Sequence, residues 1–348
     1  MPVVLNFMER LGLLHLNKGP GPMVDMIGAL GFKAVCVALQ LNIFELLEKR
    51  PLSAKELTEK IDAKPEGVIL LLEALVNLGY IVSRERTYEN SEMVRRWMLN
   101  DSPESLVGLA CHFEDALKRW DYLGYSIRKG EKAPGLDRWF DKHDEGWTRY
   151  HTGMRSIANL VADTVVSRVT IPDRARRLLD IGGSHGLYSI RFCMAHPGLS
   201  ATVLDFPESR ATAEETIARE AMQDRITFLA GDFVNDAVEG AYDVLLMFNF
   251  IRIFAADKLV PLLEKAARLL NDGGMIVILD QFGQPNMSRF TRTNHSLMLL
   301  ELFNQLYIRA HTSDKTLAYL KDAGFISPLV EYPQRSGGLG IVTAYKSS

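Results

Sequence analysis

From Arg177 onward the chain alternates short apolar runs with helical stretches, and this alternation narrows the fold more than any other feature. "RLLDIG", "SATVLDF", "ITFLAGDF", "YDVLLMF" and "GMIVILDQF" read as buried strands. Helical segments run through "LYSIRFCMAH" and from "SRATAEETIAREA" and "ADKLVPLLEKAARLL". Strand and helix in strict succession predict a parallel, doubly wound sheet of the α/β class.

The first half follows a different period. "MVDMIGALGFKAVCVALQLNIFELLEK" carries apolar residues at helical spacing until Pro51 breaks it. Ser53 stands three residues before Glu56, the spacing of a capping box, so a helix should start there. A second helix ends near Gly79, and "YIVSRERTYENSE" reads as a hairpin. Helix, turn, helix and two-stranded wing make a winged-helix pattern. Duplex DNA binding would need basic residues on the second helix, yet "EGVILLLEALVNLGY" holds two glutamates and no lysine or arginine. Packing against a partner chain or domain is the expected use of this module.

Composition excludes several classes. A net charge of −3 leaves no electrostatic footprint for nucleic acid or an anionic membrane. Cys36, Cys111 and Cys193 are far apart, with no CxxC spacing, so neither a disulfide framework nor a cysteine zinc site is expected. No apolar run reads as the roughly 18–20 residues that span a bilayer. The N-terminal "MPVVLNFMERLGLLHLNKGPGP" lacks the signature of a signal peptide. The expectation is a cytoplasmic protein of three parts: a helical, winged-helix region over 1–100, a helical linker over 101–175 and an α/β domain over 176–348. The linker is rich in rings, among them His112, Trp147 and Tyr150, which either pack a core or line a substrate pocket.

The stretch "LLDIGGSHGLYSI" carries the strongest chemical signal. A strand ending near Asp180 meets a glycine-rich turn, and a helix follows. Glycines there allow close approach of a ligand to the backbone. The turn does not fit the dinucleotide pattern G-x-G-x-x-G. Asp205, nineteen residues beyond Gly186, ends the next strand, where a carboxylate can accept hydrogen bonds from ribose hydroxyls. Asp232 ends the third strand and can receive an adenine amino group, with Phe233 covering the ring. Each aspartate alone is more often a turn former. Together they place three ligand-binding groups at successive strand ends, all facing one crevice.

The run D-I-G-G-S-H-G, the "LDFP" and "GDF" boxes, "LNDGGMIVILD" and the closing "LKDAGF" together resemble one family. It is the S-adenosylmethionine-dependent O-methyltransferases of the plant caffeate and bacterial hydroxyindole type. The resemblance covers nearly the whole chain and implies a Rossmann-like class I methyltransferase sheet behind a winged-helix dimerisation domain. It implies a homodimer formed through the N-terminal helices, acting on a small-molecule acceptor, with no nucleic-acid, membrane or metal partner. Asp180, Gly182, Gly183, Gly186 and Asn249 would serve the cofactor, with Ser184 where many members have a further glycine. Asp205 would hold the ribose beside Phe206, and Asp232 and Phe233 would contact adenine. Met154, with Trp147, Tyr150, His112 and Arg252, would face the acceptor, although Met154 reads equally as a core residue.

The chain departs from the pattern at one place. Members of the family commonly read "LHDW" after the fourth strand, and that histidine deprotonates the acceptor. Here "IRIF" places Arg252 on the histidine position. A guanidinium has no lone pair to accept a proton. One usual flanking carboxylate is matched by Asp280, the other by Ala310. Four explanations stay open. Arg252 clamps an anionic acceptor that needs no strong base; another residue, His112, His151, His295 or His311, is the base; the protein binds the cofactor without transferring methyl; or Arg252 turns to solvent or pairs with Asp257. O-methylation leads, ahead of S-methylation of a thioether acid and C-methylation. The opposing class is a winged-helix regulator.

Overall fold

The computed structural model describes residues 5–16, 18–142, 145–283, 287–308, 311–333 and 338–347. The chain forms two compact units, divided between Glu114 and Asp115.

In the first unit, the long N-terminal helical pattern resolves into two helices, Met23–Gln40 and Ile43–Lys49. Asn42 breaks them by taking φ +55°, a left-handed conformation that asparagine tolerates better than most residues. The helix Met23–Gln40 is long and apolar enough, by length and composition alone, to cross a membrane. This corrects the expectation that no segment reaches that size. Next come strand β1 (Leu52–Ser53) and the helices Ala54–Lys60 and Pro65–Asn77. Strands β2 (Ile81–Arg84) and β3 (Thr87–Asn90) then form the hairpin. β1 pairs with β3, so the expected two-stranded wing is a three-stranded sheet. The capping box forms: the Glu56 amide donates to Ser53 Oγ at 3.3 Å, and the Ser53 amide donates to Glu56 Oε2 at 2.8 Å. Val35, Phe44, Leu47, Leu57, Leu72 and Ile81 fill the core of this unit.

The second unit is built on a seven-stranded sheet. Its strands are β4 (Arg177–Ile181), β5 (Ser200–Asp205), β6 (Ile226–Ala230), β7 (Tyr242–Phe248), β8 (Leu270–Asp280), β9 (Phe325–Glu331) and β10 (Gly340–Lys346). They lie in the order β6-β5-β4-β7-β8-β10-β9. The first five pair in parallel, whereas β10 pairs antiparallel with both β8 and β9. The sheet is therefore mixed, and the expected parallel sheet holds only as far as β8. Alternate residues supply two cores: Leu178, Val244 and Val277 on one face, Leu179, Leu245 and Ile276 on the other. Chain order reverses between β4 and β7, and the crevice at such a switch point is where ligands of open α/β sheets bind.

Candidate active site

The loop after β4 is shaped by atoms that leave no room for side chains. Gly182 has φ +72°, and a Cβ added to it would lie 2.5 Å from the Phe250 ring. A Cβ on Gly183 would meet the Asp180 carboxyl carbon at 2.7 Å and Val203 at 2.8 Å. The loop then passes through Ser184 to Gly186, which caps the helix Leu187–Ala195. Asp180 is buried beneath the loop. Its Oδ2 accepts from Ser189 Oγ at 2.8 Å, while its Oδ1 has no partner among the described residues. Burial pushes its carboxyl up to about 7.

Asp205 faces this loop from the end of β5. Its Oδ2 accepts the Ser184 amide at 2.7 Å, and its Oδ1 accepts the Phe206 amide at 2.7 Å. The Ser209 hydroxyl is a third donor to this carboxylate, whose two oxygens offer four lone pairs, so room for a further donor is left. Burial raises this carboxyl, and the two amides oppose the rise. Phe206 is 48% exposed, so its ring is open to contact.

Beyond β6 the arrangement differs from expectation. Asp232 Oδ1 accepts the Val234 amide at 2.8 Å and Oδ2 accepts Asn235 Nδ2 at 2.6 Å, so its carboxylate closes its own turn. That turn drops Phe233 into the second core, 4% exposed, with the Lys265 ammonium 5.2 Å over its ring. An open ring face for adenine is not what the packing of Phe233 presents.

On the acceptor side, the helix Gly146–Arg168 carries Trp147, Tyr150, His151 and Met154 at offsets of three, four and seven, which share one face. Trp147 stacks on His151 at 5.6 Å, and Tyr150 meets His151 at 5.3 Å. Met154 is half-buried. His151 shares hydrogen bonds with Ser184 Oγ at 2.7 Å through Nδ1 and with Ser209 Oγ at 3.4 Å through Nε2. Both ring nitrogens are thus engaged with serines, and burial lowers the imidazole to about 4. A free general base is not what this geometry offers. His112 lies in the first unit, on the helix that starts at Val107.

Past β7, Asn249 takes φ +56° and its amide donates to the Leu279 carbonyl at 2.7 Å. This turns the chain so that Arg252 meets Asp280 at the end of β8. Arg252 Nε lies 3.1 Å from Asp280 Oδ1, and the Arg252 amide donates to Asp280 Oδ2 at 3.2 Å. The two side chains are 14% and 4% exposed. Arg252 therefore neither turns to solvent nor pairs with Asp257, which is itself exposed beside Lys258. Its terminal nitrogens make no hydrogen bond to a described residue. Of the histidines weighed as bases, His295 Nδ1 lies 3.0 Å from Gln281 Oε1 and His311 Nε2 lies 2.9 Å from the Phe254 carbonyl. Ala310 lies outside the described residues.

Three groups escaped the sequence reading. Tyr188 is buried with a hydroxyl that has no partner among the described residues; burial raises its phenol, and the Arg252 charge opposes that rise. His185, buried in the loop, accepts the Leu187 amide at 3.1 Å and is pushed down to about 3. Arg119, 1% exposed in its side chain, pairs with Glu301 at 2.8 Å and lies 5.3 Å over Phe140, a neighbour of Tyr150. Only the histidine in G-G-S-H-G stood in a motif that could have drawn attention to it.

The family model of an O-methyltransferase domain matches residues 120–326, and that of an O-methyltransferase dimerisation domain matches residues 26–100. The chain belongs to the O-methyltransferase family.

This family member is 28% identical over 318 residues to the tetracenomycin polyketide synthesis 8-O-methyl transferase TcmO of Streptomyces glaucescens, covering 88% of this chain and 92% of the relative. It is 27% identical over 308 residues to the N,N-dimethyltransferase OxyT of Streptomyces rimosus, with 84% and 86% covered. The crystal structure of human N-acetylserotonin methyltransferase in complex with SAM shares its fold at TM-score 0.81 and 20% identity, over 100% of both chains. This family member is therefore an enzyme, a methyltransferase by its domain, and the two relatives are an O-methyl transferase and an N,N-dimethyltransferase. Its β4 loop fits S-adenosylmethionine by its own chemistry. Asp180 Oδ1 is a buried acceptor awaiting a donor, Gly183 admits no side chain, and Asp205 keeps lone pairs for hydroxyls. Among the described residues no group of three His, Cys, Asp or Glu could hold a metal ion.

Proposed function

We propose that this enzyme methylates a small organic acceptor on oxygen, using S-adenosylmethionine, and that Arg252 grips an anionic group of that acceptor. The observation that carries this reading is the buried Arg252–Asp280 pair. Asp280 fixes the guanidinium through Nε and leaves the terminal nitrogens uncommitted among the described residues. A planar fork held in one orientation suits a carboxylate or phenolate. When bound, the cofactor supplies an electrophilic sulfonium methyl. Asp205 would hold the ribose hydroxyls, and Asp180, whose Oδ1 lacks a partner among the described residues, would accept from the cofactor's ammonium group. Trp147, Tyr150 and Met154 give the acceptor an apolar and aromatic wall that excludes water. An acceptor that arrives as an anion has no proton to lose, so alignment of the reacting atoms carries much of the rate. His151 holds the loop, and Asp280 holds Arg252.

A thioether acid is the second reading. The same fixed guanidinium would take its carboxylate, and its sulfur needs no base. Mass spectrometry of the product, after incubation with methyl-labelled cofactor and an extract, separates the readings: label on oxygen supports the first, label on sulfur the second. A chain that fails to bind S-adenosylmethionine in calorimetry would overturn both.

The first unit is proposed to form a homodimer. Met23, Met26, Ile27 and Leu30 on the helix Met23–Gln40 are 43–75% exposed within a segment that the dimerisation-domain model largely covers. A second copy would cover this apolar face. Leu30→Glu should shift the species seen by sedimentation from dimer to monomer. The three free thiols suit a reducing cytoplasm.

A further inference from the structure

Ser184 occupies a place in the loop that glycine would fill without strain. Its φ of +46° lies in the left-handed region, which L residues with a Cβ resist. Side chains held in such conformations persist where surrounding interactions over-determine them. Here the interactions are specific. The Ser184 amide donates to Asp205 Oδ2 at 2.7 Å, and its hydroxyl meets His151 Nδ1 at 2.7 Å. His151 is 3% exposed, stacks on Trp147 and adjoins Tyr150. Its other nitrogen faces Ser209 Oγ, from a serine that is fully buried two residues after Pro207 and hydrogen-bonds Asp205 in turn. Two serines therefore join one carboxylate to one imidazole, and the imidazole belongs to the helix that carries the acceptor-side rings.

We propose that Ser184 is a positioning residue: through His151 it couples the cofactor-binding carboxylate Asp205 to the aromatic face of the helix Gly146–Arg168, so that cofactor affinity and acceptor alignment depend on one hydroxyl. This rests on the reading of Asp205 as the ribose-binding group. A neutral imidazole suits the task, because it offers one donor and one acceptor to the two hydroxyls without bringing charge to the cofactor. A purely structural serine–histidine contact would pin the helix to the sheet and leave kinetics alone.

Ser184→Gly separates the two roles, since losing the Cβ relieves the backbone and losing the hydroxyl breaks the link to His151, while the amide bond to Asp205 stays. The expected result is a thermal midpoint unchanged or raised. With it should come a cofactor Kd weakened roughly fivefold, the equivalent of one buried hydrogen bond, and a lowered kcat. His151→Asn, whose amide can reach the place of Nδ1, should stay within about twofold of the parent, whereas His151→Phe should match Ser184→Gly. The double variant Ser184→Gly/His151→Phe should be no worse than either single change, as expected of residues acting as one unit. Parent-like Kd and kcat for Ser184→Gly, or additive effects in the double variant, would overturn the coupling. Failure of the unaltered chain to bind S-adenosylmethionine would instead overturn the methyl-transfer reading, and the coupling with it.

Discussion

The two halves of the crevice are organised by opposite means. At the ends of β4 and β5, short-range elements dominate: a glycine loop, a serine in a left-handed turn and a carboxylate that accepts two nearby amides. At the ends of β7 and β8, a single ion pair joins residues 28 apart in sequence. The first half is a backbone cradle that tolerates little, because a Cβ at Gly182 or Gly183 would clash. The second half is made of side chains, so one substitution can alter which acceptor is taken. A family whose relatives methylate different atoms is what this division of labour would allow.

Asp205→Ala should break the comparison most sharply. Loss of a charged acceptor for hydroxyl donors should weaken S-adenosylmethionine binding about 100-fold, at the upper end for hydrogen bonds to charged groups. Calorimetry would check this, and an unchanged affinity would remove Asp205 from the cofactor site. Arg252→Ala should do the reverse, raising acceptor KM by about tenfold or more while leaving cofactor Kd within twofold. Arg252→Lys should fall between, because an ammonium keeps the charge and loses the fork. Parallel changes in both constants would mean that the halves are not separable.

A smaller effect concerns protons. With its carboxyl near 7, Asp180 is partly protonated at neutral pH. A cation brought beside it lowers that value, so cofactor binding at pH 7 should release a fraction of a proton, visible as a binding enthalpy that varies with buffer. At pH 9 the carboxyl is already ionised and the release should vanish.

The smallest effect is on stability. His151 and His185 are held near 4 and 3, below their unfolded value, so their neutral burial is fully compatible with folding above about 6.5 and disfavoured as pH falls below it. Asp180 works the other way: its raised carboxyl favours folding as pH falls from 7 toward 4. Two imidazoles against one carboxyl leave a net loss of stability as pH falls between roughly 6.5 and 4. Urea midpoints at pH 6.5 and 5 would measure it. Asp180→Asn should steepen the slope about twofold.

Much of the scaffold was legible because it rests on local rules. Apolar runs marked β4 to β8, the Ser53–Glu56 spacing marked a helix start, and G-G-S-H-G marked the loop. The antiparallel β9 and β10 were missed, and the break at Asn42 was too, because pairing partners and a single left-handed residue leave little periodic trace. Within the site, Asp180, Asp205 and Asp280 stood at strand ends as their sequence positions implied. Asp232 and Phe233 did not take the expected posture, since a turn can consume its own carboxylate and tip a ring into the core.

By itself the sequence determined the α/β class, the five parallel strands and the family, because each depends on periodicity or on a motif contiguous along the chain. The tertiary structure alone decided the state of the side chains. Arg252 as sequence is a charge where a base is usual; only folding shows it anchored on Asp280, its terminal nitrogens uncommitted among the described residues. Ser184 as sequence is a missing glycine; only folding brings His151, thirty-three residues earlier, onto its hydroxyl. Contacts of that range follow from how helices pack on a sheet, and no local pattern encodes them.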